Sequence, residues 1–77
     1  MSRLKPLVRE RFKSFSSKYD EVAIRYDGNN LYRIVGFKKV LRSEYIEPVS
    51  RPMTLKMARK AIWDYAEVQD GLPVKVT

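Results

Sequence analysis

Hydrophobic positions change their period as the chain runs from residue 1 to residue 77, and each change predicts an element. Leu4, Val8, Phe12 and Phe15 recur at helical spacing, with Leu7 on the flank. Pro6 suits a first helical turn, where its missing N–H leaves no bond unmade. The pattern predicts a helix from about Pro6 to Ser17, with Arg9 and Lys13 one turn apart on its basic back. Tyr19-Asp20 interrupts this spacing, and a period of two follows: Val22, Ile24 and Tyr26 on one face, Ala23 and Arg25 on the other. Asp27-Gly28-Asn29-Asn30 tolerates positive φ and marks a hairpin turn. Leu31 to Phe37 returns as a strand with Tyr32 and Ile34 on one face, and Gly36 marks a bulge or a close backbone approach. Val40-Leu41 can extend that strand. Glu44 to Val49 makes a third, which Pro48 confines to an edge or an end.

Arg51-Pro52 stops the sheet pattern, and Thr54 is a good N-cap for a helix beginning at Leu55. At about 100° per residue, Leu55, Ala58, Ala61, Ile62, Tyr65 and Ala66 share one apolar sector that faces the core. Gly71 stands where a left-handed helix C-cap belongs, with Pro73 just beyond. Leu72 to Thr77 then alternates as a short final strand. The order is α-β-β-β-α-β, an α+β class: a single two-layer domain over residues 1–77, with helices against one face of a small, mostly antiparallel sheet.

Composition narrows what such a domain can do. With no Cys there is no disulfide, thiolate metal site or thiol nucleophile, and with no His the commonest metal ligand and neutral-pH acid–base group is missing. The opening residues are charged throughout, and nowhere do about 18 apolar residues follow one another, so the expectation is a soluble, cytoplasmic protein with no membrane partner. Net charge is +7 on 77 residues, which favours polyanions or acidic partner surfaces. The charge is segregated: residues 1–18 and residues 36–60 each carry +5, while residues 61–77 carry −2.

The second helix carries that segregation in an unusual direction. A helix dipole favours acids near its N-terminus and bases near its C-terminus, yet Lys56, Arg59 and Lys60 come first, and Asp64, Glu67 and Asp70 come last. Trp63 falls among these cations rather than in the apolar sector. An aromatic ring interleaved with bases suits a single-stranded nucleic acid, since bases stack on the ring while cations hold phosphates. Packing over a loop or the final strand, with Arg59 stacked on the indole, explains Trp63 without a partner. Acids of the Glu44–Glu47 strand could likewise neutralise the cations internally. Arg51, Lys38 and Lys39 with Arg42 form a second basic group, and Arg9 and Lys13 with Lys18 a third; helices side by side on the sheet would merge their basic backs. Tyr26, Tyr32 and Tyr45 could present a ring ladder on the uncovered sheet face. No Gly-rich phosphate loop, nucleophile elbow or metal-ligand spacing occurs, so no enzyme, cofactor or metal is expected.

Two resemblances follow. The α-β-β-β-α order with bases opening the second helix resembles the double-stranded RNA-binding domain in topology, although Asp27-Gly28-Asn29-Asn30 replaces that family's Pro- and His-containing β1–β2 loop. The stretch from Tyr32 to Val76, a hairpin, then Thr54-Leu55 opening an aromatic-containing helix, then Gly71-Leu72-Pro73-Val74-Lys75-Val76, resembles small accessory proteins of lytic bacteriophages. These include inhibitors of host RNA polymerase, and the resemblance implies a basic surface docked on a host machine. The expected function is a non-catalytic module whose basic helix face contacts DNA or RNA through Arg51, Lys56, Arg59, Lys60 and Trp63, with Arg9, Lys13, Lys38 and Lys39 assisting. The alternative is a protein-binding inhibitor or adaptor, phage-encoded or not, that presents the same residues to an acidic protein surface. A homodimer is compatible with either.

Overall fold

The computed structural model of the chain describes residues 10–76. Alternation of apolar and polar residues over the first half builds a four-stranded antiparallel meander. Its strands are β1 (Arg11–Lys13), β2 (Glu21–Gly28), β3 (Leu31–Val40) and β4 (Ser43–Pro48), in the order β1-β2-β3-β4. One helix, α1 (Leu55–Tyr65), crosses one face of the sheet. A two-stranded ribbon of β5 (Val68–Gln69) and β6 (Leu72–Pro73) follows it.

The α+β order is therefore corrected to a mostly β domain with a single helix among the described residues. The expected first helix is the element that fails. Its opening part, including Leu4, Pro6, Leu7, Val8 and Arg9, lies outside the described residues, and from Arg11 onward the chain is extended. The reason is where its backbone hydrogen bonds go. Phe12 lies opposite Val22 on one side and Lys75 on the other, and Lys13 N–H donates to the Val74 carbonyl at 2.9 Å. Val76 N–H donates to the Arg11 carbonyl, Glu67 N–H to the Lys13 carbonyl and Phe15 N–H to the Tyr65 carbonyl, each at 2.8 Å. β1 thus lies between β2 and the C-terminal segment, paired on both sides, which a helix would forfeit. Phe15, expected on a buried helical face, is 77% exposed. The α-β-β-β-α order behind the resemblance to double-stranded RNA-binding domains is absent from the described residues.

The core lies between α1 and the sheet face carrying Phe12, Val22, Ile24, Tyr32 and Ile34, which close on Ala58, Ile62 and Ala66. Ile34 and Val22 are essentially sealed from solvent. Tyr26 and Tyr32 lie on this helix-covered face, edge to face at 5.1 Å, so the expected ring ladder on the open face does not form. Tyr45 is exposed. Gly36 is buried because the Tyr19 ring lies directly on its Cα; a Cβ added there would come within 2.5 Å of Tyr19 Cδ1. The glycine marks a close approach.

On the opposite face Arg11 ties the strands together. Its guanidinium carbon lies 3.6 Å from the Phe37 ring centroid, and its Nη2 reaches Glu44 Oε2 at 2.8 Å. Its Nε stands 2.7 Å from Glu21 Oε1, a charge contact off the N–H axis. Arg25 and Arg33 face each other across β2 and β3, and Asp27 offsets the repulsion through Arg33 Nε at 3.1 Å.

Turn chemistry sets the connections. Asn29 and Asn30 follow Gly28 with positive φ and join β2 to β3, the hairpin that Asp27–Asn30 predicts. Asp70 (φ 54) and Gly71 (φ 79) join β5 to β6 as a two-residue turn, the positive-φ pair of a type I′ hairpin. Gly71 is therefore not the helix C-cap. α1 ends at Tyr65 because Ala66 turns to extended backbone (φ −93, ψ 153) and bridges Ser14. Past Glu21↔Phe37, residues Lys38–Val40 of β3 continue, paired with Ser43–Tyr45, as an arm whose tip is Leu41.

Candidate nucleic-acid interface

α1 carries three exposed cations, Lys56, Arg59 and Lys60, and its N-cap sets where they point. Thr54 is extended (φ −68, ψ 160), and its hydroxyl accepts the Met57 N–H at 3.2 Å, satisfying one of the free donors of the first turn. This cap fixes the helix phase. Ala58 and Ile62 then point into the core, with Leu55, Ala61 and Tyr65 at its edge, the sector expected from the spacing. Taking Leu55 as the origin, Arg59, Trp63, Lys56 and Lys60 fall at about 40°, 80°, 100° and 140° around the axis. Three cations and one indole therefore share a strip about 100° wide, immediately beside the core sector. All four are exposed, Trp63 to 44%.

Ion pairs hold some of the other cations, though Lys13, Arg25 and Lys39 of the sheet have none among the described residues. Arg11 is held by Glu21 and Glu44, Arg33 by Asp27, Lys75 by Glu10 at 2.9 Å and, more loosely, Lys38 by Asp20 at 4.0 Å. Among the described residues no acid lies within ion-pair distance of Lys56, Arg59 or Lys60. Glu44, which could have neutralised them, is instead bound to Arg11 on the far face of the sheet. Asp64, one turn beyond Lys60, makes no ion pair with it. The first turn of α1 contains no acid, so the helix dipole disfavours Lys56 there, while Arg59 and Lys60 lie mid-helix and repel it and each other. Of the acids expected at the helix end only Asp64 is on α1, since Glu67 and Asp70 lie beyond Tyr65.

The remaining predicted residues divide. Arg51 is exposed four positions before α1 starts. Lys38 and Lys39 sit on the β3–β4 arm, away from the strip, with the Lys39 N–H donating to Asp20 Oδ2 at 2.9 Å. Lys13 lies on β1 opposite Glu21, with its side chain on the sheet face away from α1. Arg9 lies outside the described residues. Without an N-terminal helix over residues 10–17, the single merged basic strip expected from two parallel helices does not form; the structure brings together Lys56, Arg59, Lys60 and Trp63.

It also adds a feature that the sequence alone did not reveal. Between α1 and the C-terminal segment runs a groove of about 570 Å³, floored by the core residues Phe12, Ile24 and Ile62. Leu55, Arg59 and Trp63, spaced four apart, form its helical wall, and Leu72, Pro73 and Lys75 the other. Trp63 thus borders the final strand, as its packing alternative anticipates, yet no arginine is stacked on it: the cation–π contacts of the described residues are Arg11 over Phe37 and Lys18 over Tyr19.

Among the described residues no group of His, Cys, Asp or Glu is placed to hold a metal ion, and no helix is long and apolar enough to cross a membrane. In comparisons with protein families, curated proteins and solved structures, nothing was found that matches this chain.

Proposed function

We propose that this chain is a non-catalytic nucleic-acid-binding module, working inside the cell, whose contact surface is the outer strip of α1. One observation carries the reading: Lys56, Arg59 and Lys60 converge with an exposed Trp63 on one helical strip with no acidic partner among the described residues. Uncompensated like charges one turn apart cost a few tenths of a kcal/mol each, and Lys56 in the first turn of α1 about as much again. Phosphates laid along the strip reverse both signs.

The test is binding of labelled DNA and RNA oligonucleotides across a salt series, with Arg59→Glu and Lys60→Glu as charge reversals. Three to four phosphate contacts on a single strand give a slope of log affinity against log salt of about −2 to −3. The double reversal should weaken binding at least about tenfold. Undetectable binding at low salt, or binding indifferent to the reversals, refutes the proposal.

A second reading, a protein-binding inhibitor or adaptor, draws on a separate observation. All six residues of β4 are exposed, including Tyr45 and Ile46, and the strand forms the outer edge of the sheet. Such an edge can accept a strand from a partner or a second copy, although Pro48 and Glu47 blunt it. Capture of one protein partner after nuclease treatment, lost on substitution in β4 and retained in the α1 reversals, favours this reading over the first.

A further inference from the structure

We propose that the groove beside Trp63 receives an unstacked nucleobase, so that the interface selects single-stranded over double-stranded nucleic acid. The inference rests on the nucleic-acid reading of α1 and adds to it what the strand must offer.

The groove and the cationic strip are not separate features. Arg59 and Trp63 belong to both: they form the helical wall of the groove and also half of the strip. A phosphate held by Lys56 or Lys60 therefore places its own nucleoside against the groove mouth. The interior of the groove is apolar. Its floor, Phe12, Ile24 and Ile62, is core packing anchored between sheet and helix, so the slot is formed before anything binds and costs little ordering on occupation. A volume of about 570 Å³ lies within the range of clefts that hold small planar ligands.

Charge fixes the orientation. On the far wall Lys75 pairs at 2.9 Å with Glu10, whose carboxylate also lines the groove, so that wall does not attract phosphate. The helical wall does. A strand would run its backbone along α1 and turn its bases inward, toward the indole and the apolar floor. A duplex cannot do this, because its base faces are already stacked and it presents phosphates and groove edges. The apolar slot and the exposed indole offer a duplex nothing beyond the cations, whereas base–aromatic stacking adds sequence-tolerant affinity for a single strand.

Trp63 is the only tryptophan in the chain, so its fluorescence reports the groove directly. The full chain is titrated with a 15-nucleotide oligothymidylate and with a 15-base-pair duplex at matched salt, as wild type, Trp63→Ala and Trp63→Phe. Trp63 is surface-exposed, and thermal unfolding checks that each variant is folded. In the wild type the single strand should quench Trp63 and bind at least about tenfold tighter than the duplex, which should leave the fluorescence little changed. Trp63→Ala should lose about 10- to 100-fold of the single-strand affinity. It should keep the weaker salt-dependent binding, so that the two substrates become nearly equal, and Trp63→Phe should restore most of the preference. If the wild type binds duplex as tightly as single strand, or if Trp63→Ala binds the single strand like wild type, the groove assignment is overturned while the α1 reading stands. A free chain whose Trp63 is already shielded from acrylamide, by another part of the chain or by a second copy, overturns it as well. Absence of binding to either substrate overturns the α1 reading itself.

Discussion

Replacing Gly36 by alanine should be costly for a reason that can be isolated. The new Cβ would stand 2.5, 2.6 and 2.7 Å from Cδ1, Cγ and Cε1 of Tyr19, against an ordinary carbon–carbon separation of about 3.5–4.0 Å. The ring, not its flexible end, is what is struck, so it must withdraw by about 1 Å or the strand must bend. Overpacking of this kind costs about 1–3 kcal/mol. For a 77-residue domain with a total stability of about 4–12 kcal/mol, that is a large fraction. Gly36 does not have positive φ, so its backbone accepts alanine without strain. Once the ring is removed by Tyr19→Ala, Gly36→Ala should become neutral or stabilising by about 0.4–1 kcal/mol through the unfolded state. The double-mutant cycle should therefore show a coupling of about 2–3 kcal/mol. Urea unfolding followed by Trp63 fluorescence and far-UV circular dichroism measures it. An alanine at position 36 that costs less than about 0.5 kcal/mol, or costs the same in both backgrounds, refutes the contact as the cause.

Other positions give sharper single outcomes. Leu41 is 96% exposed at the first of two turn residues and has φ 57, a place where glycine or asparagine is preferred; Leu41→Asn should raise stability by about 0.5–1 kcal/mol, and an unchanged or lower midpoint contradicts this. Ile34→Ala removes a sealed core side chain beneath α1 and should cost about 2–5 kcal/mol in denaturant unfolding, with a cost near zero counting against the core assignment. Thr54→Ala deletes the hydroxyl that accepts the Met57 N–H and should cost about 1 kcal/mol, with Thr54→Ser close to wild type. Arg11→Met keeps part of the contact with Phe37 and loses both ion pairs; it should cost about 1 kcal/mol at low salt and less at 1 M NaCl, and a cost independent of salt would show that packing rather than charge dominates.

Local signals were legible where a single physical rule operates without competition. Thr54 and the spacing of Leu55, Ala58, Ile62 and Tyr65 locate α1 and its buried face, and Asp27-Gly28-Asn29-Asn30 with alternation on either side locates the β2–β3 hairpin. Phe12 and Phe15 misled because a spacing of three suits a helix, while the alternation of Arg11, Phe12 and Lys13 suits a strand equally well. Which pattern prevails depends on bonds to Val74 and Val76, more than sixty residues away. Asp70-Gly71 carried a hairpin signal that looked like a helix cap only because a helix precedes it. The cationic strip on α1 follows from sequence by geometry. The groove does not, since it exists only where α1, Phe12 and the β5–β6 ribbon meet.

That meeting has a consequence for how the protein is made. The meander of β2, β3 and β4 and the helix after it are built from neighbours in the chain, so they can assemble as they leave the ribosome. The flank of β1 and the far wall of the groove are supplied by Leu72 to Val76, which follow the meander and α1 in the chain. A nascent chain would therefore display the cations of α1 before it has a slot beside them. Deleting residues 72–76 should leave the sheet and helix recognisable but erase the groove and uncover the edge of β1, so this surface is complete only once those residues have emerged.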